Sequence, residues 1–341
     1  LMKNSNEDEV LEGEDGSKSV VIRDPLGVVA VLSPWNFPAD EILLLALPAL
    51  AAGNCVIVKP SEVTPLVGQM VVDTIKSVLP PGVLQIVQGD GKVGQWLVES
   101  DGINMVAMTG STAVGRSIMS ACAPKLKRLV LELGGKDPMV VFQDADLDVA
   151  AKDAVQHSLE NTGQVCCSIE RVYVDGSIRE DFEKRVVDIA SKWKVGNGMD
   201  ENNKVGPLVS IMQRERVAQQ VDLAVKQGAK VLYKSLVPDP APEETSFYPV
   251  TVLSNVKQGM DIQKLETFGP VIALSSFSGT ETDGVKLAND TEYGLASCVY
   301  TTDLSKAQRV ARQIRSGQVG INCYSLDNAN ESCPWVGHKC S

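Results

Sequence analysis

Short apolar runs rich in β-branched residues alternate with segments of helical periodicity through the first half of the chain. The predicted strands are residues 28–32, 55–58, 83–87, 105–108 and 128–133. The predicted helices are residues 40–52, 64–79 and a third that opens within 109–115 and runs to about 121. Parallel neighbouring strands need a long crossover, usually a helix, so this alternation predicts a parallel sheet. We therefore expect a doubly wound, Rossmann-like α/β domain.

The same alternation begins again after Lys136. The predicted strands are residues 139–142, 171–174, 230–233, 249–253 and 271–277. The predicted helices are residues 147–160, 177–193, 211–228 and 282–289. Residues 237–244 are rich in proline and predict a surface loop. A second α/β domain is therefore expected, beginning near residue 135.

Length limits the number of domains, and charge and hydropathy limit the kinds of partner. A chain of 341 residues suits two domains. A net charge of −11 disfavours nucleic acid or an anionic membrane as a partner. The longest apolar run, residues 42–52, is too short to span a bilayer and contains Pro48. We therefore expect that the protein binds neither nucleic acid nor a membrane.

Eight cysteines and two histidines limit the disulfide and metal chemistry. The cysteines lack the spacing of a disulfide scaffold and form no Cys-x2-Cys pair, so a structural zinc site is not expected. The thiols indicate a reducing compartment. We choose the cytoplasm, with an organelle matrix as the alternative.

Two residues carry the strongest chemical signal. Cys166 lies in a loop of small residues, and Glu132 ends an apolar strand upstream of it. A thiolate can attack a carbonyl, and a carboxylate can later activate the water that frees the acid, so the pair suits covalent acyl chemistry. Each signal is weak alone. An isolated cysteine in a glycine loop is inert more often than catalytic, and an isolated glutamate ending a strand is usually solvated or paired.

Residues 110–115 have the spacing of a glycine-rich turn from a strand into a helix. Gly110 and Gly115 bound the segment, which lacks the middle glycine of a dinucleotide fingerprint. A helix N-terminus can bind phosphate through its free N–H groups. Phosphate binding and a plain turn both remain open on this motif alone.

The order and separation of six short motifs resemble the aldehyde dehydrogenase superfamily, the NAD(P)-dependent enzymes that oxidise aldehydes to carboxylic acids. The resemblance runs from about residue 20 to the end of the chain. The motifs are residues 33–38, 58–62, 109–111, 131–136, 163–166 and 266–270.

The resemblance implies a catalytic role for three residues. Cys166 would be the nucleophile that forms a thiohemiacetal and then, after hydride transfer, a thioester. Asn36 would donate its side-chain amide to the oxyanion, together with the backbone N–H of Cys166. Glu132 would activate the deacylating water, with deprotonation of Cys166 as a second role. The reaction implied is NAD-dependent oxidation of an aldehyde to an acid.

The resemblance also assigns the cofactor positions. Lys59 and Glu62 would bind the adenosine ribose, and the carboxylate of Glu62 would repel a 2′-phosphate, so NAD is favoured over NADP. The segment from Gly110 through Ser111 to Gly115 would place the pyrophosphate on a helix N-terminus. The remaining positions are Glu266 at the nicotinamide ribose, Phe268 against the ring, and Trp35 with Pro34 shaping the crevice.

The substrate positions are less specific. Phe37, Glu41, Glu160 and Trp335 match positions near the aldehyde tunnel in the resemblance. Two acidic groups could recruit a cationic aldehyde such as an aminoaldehyde, with the ring of Trp335 supplying a cation–π face. The alternative is that both glutamates are solvated.

Four further residues have plain structural interpretations. Cys167 is expected to pack in the core, and Lys136 to pair with a carboxylate. His157 is expected on the helix surface or in the core rather than as a catalytic base. Asn322 is either a turn former or part of the substrate wall.

The chain departs from the family pattern in three places. The family has a longer N-terminal stretch, and it continues beyond Ser341 into a glycine-rich turn and a final strand, so we expect a fragment. Val336 stands where glycine is usual.

The expected divisions are 1–25, remnant of an oligomerisation arm; 26–134, NAD-binding; 135–318, catalytic; and 319–341, a return segment closing the substrate site.

Three functional alternatives follow from the resemblance. The leading one is the hydrolytic oxidation of an aldehyde by a protein that is a homodimer or homotetramer at full length. A CoA-acylating enzyme is the second, although a hydrolytic Glu132 argues against it. A catalytically impaired or non-catalytic NAD-binding relative is the third.

Overall fold

The chain divides into two units, Leu1–Glu132 and Leu133–Ser341, in the computed structural model. The structure describes residues 8–238, 245–324, 326 and 333–341. Both units combine helices with parallel strands, so the predicted α/β fold class is confirmed. We call them the N-terminal unit and the C-terminal unit.

The N-terminal unit begins with an antiparallel hairpin. Strands β1 (Glu9–Glu12) and β2 (Lys18–Val21) pair with each other, and every residue of both is exposed. Val10, Leu11 and Val20 each expose about half of their surface or more. The hairpin lies within residues 1–25, which were predicted to be the remnant of an arm, and its strands do not pack in the core of this unit.

A five-stranded parallel sheet forms the centre of the N-terminal unit. Its strands are β3 (Val28–Leu32), β4 (Cys55–Lys59), β5 (Leu84–Ile86), β6 (Met105–Thr109) and β7 (Arg128–Glu132). Its helices are α1 (Asp40–Ala51), α2 (Pro65–Lys76), α3 (Gly91–Glu99) and α4 (Thr112–Cys122). The spatial order is β5-β4-β3-β6-β7, so the strand order reverses between β3 and β6. In doubly wound sheets, ligands bind at such a reversal.

Asn54 fixes the tight connection from α1 to β4. Its side-chain oxygen accepts from the N–H groups of Leu26 and Gly27 at 2.7 and 3.1 Å, and its amide donates to Ala49. Gly53 precedes it at φ +84°, a conformation that favours glycine. The turn therefore ties the start of β3 to the end of α1.

A seven-stranded sheet forms the centre of the C-terminal unit, in the order β10-β11-β12-β9-β8-β13-β14. β10 is antiparallel to β11, and the other pairs are parallel. The strands are β8 (Asp137–Val141), β9 (Ile169–Asp175), β10 (Lys230–Lys234), β11 (Thr251–Ser254), β12 (Val271–Phe277), β13 (Cys298–Tyr300) and β14 (Gly320–Ile321). The helices are α5 (Leu147–Leu159), α6 (Arg179–Ala190), α7 (Ile211–Lys226), α8 (Asp261–Lys264), α9 (Glu281–Asn289) and α10 (Leu304–Ala311).

The middle of this sheet is fully covered. Every residue of β8 and β9 is buried, as expected for strands with helices on both faces. Helix α5 packs its alanine-rich surface into the same core and ends at Leu159. The chain therefore enters the segment around Cys166 from a rigidly buried helix.

The predicted strands and helices are confirmed to within a few residues at their ends. Helices α3, α8 and α10 and strands β1, β2, β13 and β14 were missed. Helix α3 is short and contains Gly91 and Gly94, which lower helix propensity by about 1 kcal/mol each. Of the predicted loop 237–244, residues 239–244 lie outside the described part of the chain.

Candidate active site

The carboxyl ends of β3, β4 and β6 open into a cleft of about 630 Å³ in the N-terminal unit. We call it the strand-end cleft. Its volume is typical of sites for small molecules and cofactors. It is lined by six residues that the sequence placed at the cofactor: Pro34, Trp35, Lys59, Glu62, Gly110 and Ser111. Gly115 does not line it and is buried within α4.

Lys59 and Glu62 form one polar wall of the strand-end cleft. The Lys59 side chain is buried, and its Nζ donates to the carbonyl of Pro60 at 2.9 Å and to Glu62 Oε2 at 3.2 Å. Glu62 leaves 54% of its side chain exposed, so its carboxylate can still accept from a ligand. An ammonium beside an exposed carboxylate can bind the hydroxyls of a ribose.

The N-terminus of α4 forms another wall of the cleft. Ser111 is its N-cap residue, and its Oγ accepts from the N–H of Val114 at 3.4 Å. In any α-helix the first N–H groups lie too near the start to bond to carbonyls of the same helix, and the helix dipole adds partial positive charge there. This end of α4 can therefore hold a phosphate.

The segment between β3 and α1 carries Trp35, Asn36 and Phe37, each of them half-buried. Glu41 follows in the first turn of α1 and accepts from Thr109 Oγ1 at 2.9 Å. Burial raises the pKa of Glu41, and the bond from Thr109 opposes that rise. Glu41 is therefore bound within the unit rather than fully solvated.

Glu132 is the last residue of β7 and is half-buried. It lies opposite Thr109 in the register of β6 and β7, and its carbonyl accepts from the N–H of Gly110 at 2.9 Å. The sheet therefore brings Glu132 to the strand end at which Gly110 opens the cleft.

In the C-terminal unit, Cys166 lies on a loop whose backbone is unusually bent. We call residues 160–168 the thiol loop. Asn161, Thr162 and Gly163 follow one another at φ +47°, +62° and +71°. Such a run is costly for residues that carry a Cβ, so the surroundings must enforce it. Gly163 is required here, since a methyl group on it would lie 2.1 Å from the carbonyl oxygen of Gly269.

Side-chain hydrogen bonds enforce this conformation. Gln164 donates to the carbonyl of Asn161 at 3.1 Å and accepts from the N–H of Val209 at 2.9 Å. Thr162 donates to the carbonyl of Gly206 at 3.2 Å. The thiol loop is thus fixed to its own chain and to residues 206–209, and Cys166 is held half-buried.

Gly134 and Gly135 separate Cys166 from Glu266. A methyl group on Gly135 would lie 2.2 Å from the carbonyl oxygen of Cys166, and one on Gly134 would lie 2.9 Å from both carboxylate oxygens of Glu266. The N–H of Gly135 donates to Glu266 Oε1 at 3.2 Å. The glycine pair therefore lets the thiol loop and the Glu266 carboxylate approach one segment of backbone.

Burial raises the pKa of Glu266 to about 7, with the nearby carboxylate of Glu170 as the second cause. The N–H of Gly135 and the charges of Lys136 and Arg216 act in the opposite direction. Glu266 therefore keeps its proton to higher pH than an ordinary glutamate.

Four other residues of the C-terminal unit were singled out from the sequence, and the structure gives their surroundings. Cys167 is buried, and Trp335 packs half-buried against the core cluster that contains it. His157 is buried and stacked on the Tyr324 ring at 3.9 Å between centroids. Glu160 exposes 60% of its side chain, with Oε2 3.6 Å from His157 Nδ1.

Lys136 and Asn322 have structural partners. Lys136 pairs with the buried carboxylate of Glu170, as expected for a lysine in this position. Asn322 lies at φ +55° and bonds through its side chain to the backbone of Thr301, which supports a turn-forming role.

Sequence reasoning missed several residues of these two sites. Helix α3 contributes Gly94 and Gln95 to the strand-end cleft; the helix-capping residue Asp90 was the available signal. Glu170 was missed because its importance depends on contacts distant in sequence. Asp137 was missed for the same reason. Burial raises the pKa of Asp137 well above the ordinary value for an aspartate.

Two absences concern only the part of the chain that the structure describes. Among those residues, no group of three or more histidine, cysteine, aspartate or glutamate side chains could hold a metal ion. Over the same residues, no helix combines the length and the apolar character needed to cross a membrane.

The protein is thus of the doubly wound α/β class, in which the strand ends are the usual site for nucleotides, and its second α/β unit carries a half-buried cysteine on a hydrogen-bonded loop. The family model described as "Aldehyde dehydrogenase family" matches residues 1–341. The chain belongs to the aldehyde dehydrogenase family, as the motifs indicated.

Two curated relatives illustrate the range within the family. A betaine aldehyde dehydrogenase of Bacillus subtilis is 38% identical over 95% of this chain and 66% of its own length. A glutarate-semialdehyde dehydrogenase of Pseudomonas putida is 38% identical over 94% of this chain and 66% of its own length. The chain therefore spans slightly less than two thirds of the length of these relatives.

Solved structures are similar along almost the whole chain. An NADP-dependent enzyme of Escherichia coli superimposes with a TM-score of 0.94 at 35% identity, covering 100% of this chain and 70% of that one. A betaine aldehyde dehydrogenase of Staphylococcus aureus in complex with NAD+ gives 0.92 at 33% identity, covering 99% and 67%. One of these proteins is thus described as dependent on NADP, and the other is in complex with NAD+.

Proposed function

We propose that this protein oxidises an aldehyde to a carboxylic acid with NAD as the hydride acceptor. The observation that carries the proposal is the thiol loop, where Cys166 is held half-buried on a bent backbone beside Gly135. Such a fixed, partly accessible sulfur suits a nucleophile better than a core cysteine. Membership of the family supports the same reaction.

Each proposed step uses residues of this chain. The thiolate of Cys166 adds to the aldehyde carbonyl, and the side-chain amide of Asn36 donates to the developing oxyanion. Bound NAD would supply the hydride acceptor, and loss of hydride from the adduct would leave a thioester on the sulfur of Cys166. Glu132 then takes a proton from the water that hydrolyses the thioester and frees the acid.

The strand-end cleft fits the adenosine half of a dinucleotide. Lys59 and Glu62 would hold the ribose, and the first turn of α4 at Ser111 would hold the pyrophosphate. In the C-terminal unit, Glu266 would hold the nicotinamide ribose. NAD is proposed over NADP because an exposed Glu62 carboxylate would repel a 2′-phosphate.

The test is NADH formation followed by absorbance with a panel of aldehydes. Cys166→Ala should lower turnover by on the order of 10⁴-fold or more. Cys167→Ala is the matched control, because that sulfur is buried in the core, and it should keep turnover. If Cys166→Ala retains turnover, the proposed nucleophile is wrong. If the wild type binds NAD without turnover, a non-catalytic relative is favoured.

Two measurements separate hydrolytic from CoA-acylating chemistry. Adding CoA should leave the product a free acid, whereas an acyl-CoA product would favour the alternative. Glu132→Gln should keep a first, single-turnover burst of NADH and slow the steady state, because deacylation is the step that needs the base. Loss of the burst as well would show that Glu132 also deprotonates Cys166.

We propose a cationic aldehyde as the substrate class. Glu160 presents an exposed carboxylate in the C-terminal unit, and Trp335 supplies an aromatic face there. The betaine aldehyde relative acts on a cation, whereas the glutarate-semialdehyde relative acts on an anion. The kcat/KM for a cationic aldehyde should exceed that for a neutral one of equal length by about tenfold. Equal values would remove this proposal.

Assembly and location are also proposals. We propose a homodimer or homotetramer for the full-length protein, since β1 and β2 expose Val10, Leu11 and Val20. The divisions at residues 25, 134 and 318 remain proposals about domain roles, and the cytoplasm remains the proposed location. Light scattering of the full-length protein tests the assembly, and a monomer at all concentrations would refute it.

A further inference from the structure

Glu170 is a buried carboxylate that holds the backbone around Glu266. It lies in β9 and is 4% exposed. Its Oε2 accepts from the N–H of Thr267 at 2.8 Å, and its Oε1 accepts from the N–H of Phe268 at 2.9 Å. Two consecutive backbone donors of residues 266–268, which we call the Glu266 loop, are therefore satisfied by one side chain.

Lys136 completes the arrangement from the other side. Its buried Nζ donates to Glu170 Oε2 at 2.5 Å and to Thr267 Oγ1 at 3.0 Å. The next residue back, Gly135, donates its N–H to the Glu266 carboxylate. Residues 134–136 thus make three contacts. They bond to the carboxylate of Glu266, to the side chain of Thr267 in the Glu266 loop, and to the carboxylate of Glu170.

The carbonyl groups of the Glu266 loop are held by a different element. From α7, Gln213 donates to the carbonyls of Thr267 and Phe268 at 3.3 and 3.0 Å. Gln220 donates to the carbonyl of Glu266 at 3.2 Å. Two glutamines of α7 therefore bind the three carbonyls of the loop, and Glu170 binds the N–H groups of Thr267 and Phe268.

We propose that Glu170 is a positioning residue for cofactor binding, which sets the place of the Glu266 carboxylate by holding the Glu266 loop. The inference rests on the proposed function, in which Glu266 holds the nicotinamide ribose. Glu170 itself touches neither cofactor nor substrate in this proposal and acts only through the loop.

Energetics favour a positioning role over a purely stabilising one. A buried ion pair is weak evidence for stability, because apolar side chains of similar volume often stabilise as well or better. A carboxylate with two acceptor oxygens can, however, enforce a backbone that would otherwise relax. Phe268 lies at φ +54°, a conformation costly for a residue with a Cβ. The two N–H bonds to Glu170 supply that constraint.

The charge of Glu170 has a second, measurable consequence. It is the second cause, after burial, of the raised pKa of Glu266. The other charged groups around Glu266 are Lys136 and Arg216, which lower its pKa, and Tyr293 lies close enough for Glu266 to raise the pKa of that phenol. Removing the charge of Glu170 should therefore move the titration of Glu266 toward lower pH.

Glu170→Gln tests the proposal with little change of volume. The amide keeps one acceptor and places an NH2 group against one of the two backbone donors, so the loop loses a bond to a charged partner. The Kd of NAD, measured by calorimetry without aldehyde, should rise by about tenfold or more. In turnover, the KM for NAD should rise while the KM for the aldehyde changes little. Glu170→Asp, which keeps the charge, should recover part of the affinity.

Asp153→Asn is the matched control. Asp153 is another buried carboxylate of this unit, 9% exposed, and accepts from the hydroxyl of Tyr300 at 2.7 Å in the core. It should lower Tm and leave the Kd of NAD unchanged. If Glu170→Gln lowers Tm and also leaves the Kd unchanged, Glu170 is structural only and the proposal is wrong.

The pH profile and the wild type complete the test. In Glu170→Gln, the pH at which NAD affinity changes should lie lower than in the wild type, and an unmoved profile counts against the proposal. NAD binding is measured without turnover. A wild type that binds NAD and oxidises no aldehyde therefore refutes the proposed function while still testing Glu170.

Discussion

The strand-end cleft and the thiol loop reach their geometry in opposite ways. The cleft is built from regular elements: parallel strand ends and the first turn of α4, with Ser111 capping the helix. The thiol loop is built from irregular backbone, with Asn161 and Thr162 in left-handed conformations. A regular frame needs few special residues, whereas an irregular one needs a partner for almost every group.

The bonds quoted for the two regions also differ in sequence distance, with the bond from Thr109 of the cleft to Glu41, across 68 positions, as the exception. In the cleft, Lys59 bonds to Glu62 three positions away, and Ser111 to Val114 three positions away. Beside the thiol loop, Gly135 bonds to Glu266 across 131 positions, and Thr267 to Glu170 across 97. The second region therefore depends on the completed fold of its unit, and substitutions there should be more damaging.

The largest effect is expected from Gly135→Ala. The new methyl group would lie 2.2 Å from the backbone carbonyl of Cys166, and neither strand β8 nor the thiol loop can move away without losing buried contacts. The free energy of unfolding should fall by about 3 kcal/mol or more. Urea unfolding measures it.

Gly110→Ala is the matched change in the strand-end cleft. Its methyl group would meet the sulfur of Met108 at 3.0 Å, the flexible part of a side chain rather than backbone. The free energy of unfolding should change by less than about 1 kcal/mol. Equal losses for the two variants would remove the contrast between the regions.

The second prediction concerns the pH dependence that Glu266 gives to stability. Its pKa is raised from the ordinary 4.5 to about 7, so the folded protein binds this proton more tightly than the unfolded chain. The stabilisation is complete below the unfolded pKa and is lost as pH rises through the folded pKa. Between about pH 5 and about pH 8, the stability of the wild type relative to Glu266→Gln should fall by on the order of 3 kcal/mol.

Gln213→Leu is the control for this prediction. It removes two hydrogen bonds to the carbonyls of the Glu266 loop without removing a titrating group. Its unfolding free energy should follow the wild type at a constant offset across the same pH range. Parallel curves for the wild type and Glu266→Gln would mean that Glu266 is not protonated in the folded state.

The same contrast explains how much the sequence could predict. The βαβ alternation predicted β3 to β7 and α1, α2 and α4, because periodicity within a short window determines these elements. The motifs singled out Lys59, Glu62 and Cys166. They could not find Glu170, because a glutamate in a strand has no local signal of its role. Its importance arises from Thr267 and Phe268, about a hundred positions away.

The thiol loop shows a second limit of sequence reasoning. Gly163 belongs to the motif of residues 163–166, and its positive φ is a conformation that glycine permits. Asn161 and Thr162 share that conformation, and threonine rarely adopts it, so residue preferences would not have predicted the run. The bonds that Gln164 and Thr162 make to residues 206–209, more than forty positions away, help to hold this conformation.

The smallest expected effect belongs to the regular region. Ser111→Ala removes the oxygen that caps α4 and should lower the unfolding free energy by about 1 kcal/mol. Thr280→Ala removes the equivalent cap of α9, where Oγ1 accepts from the N–H of Asp283 at 3.2 Å, and should cost about the same. Because Ser111 lines the strand-end cleft and Thr280 does not, calorimetry should find weaker NAD binding only in Ser111→Ala. Equal NAD affinities in the two variants would place the pyrophosphate away from α4.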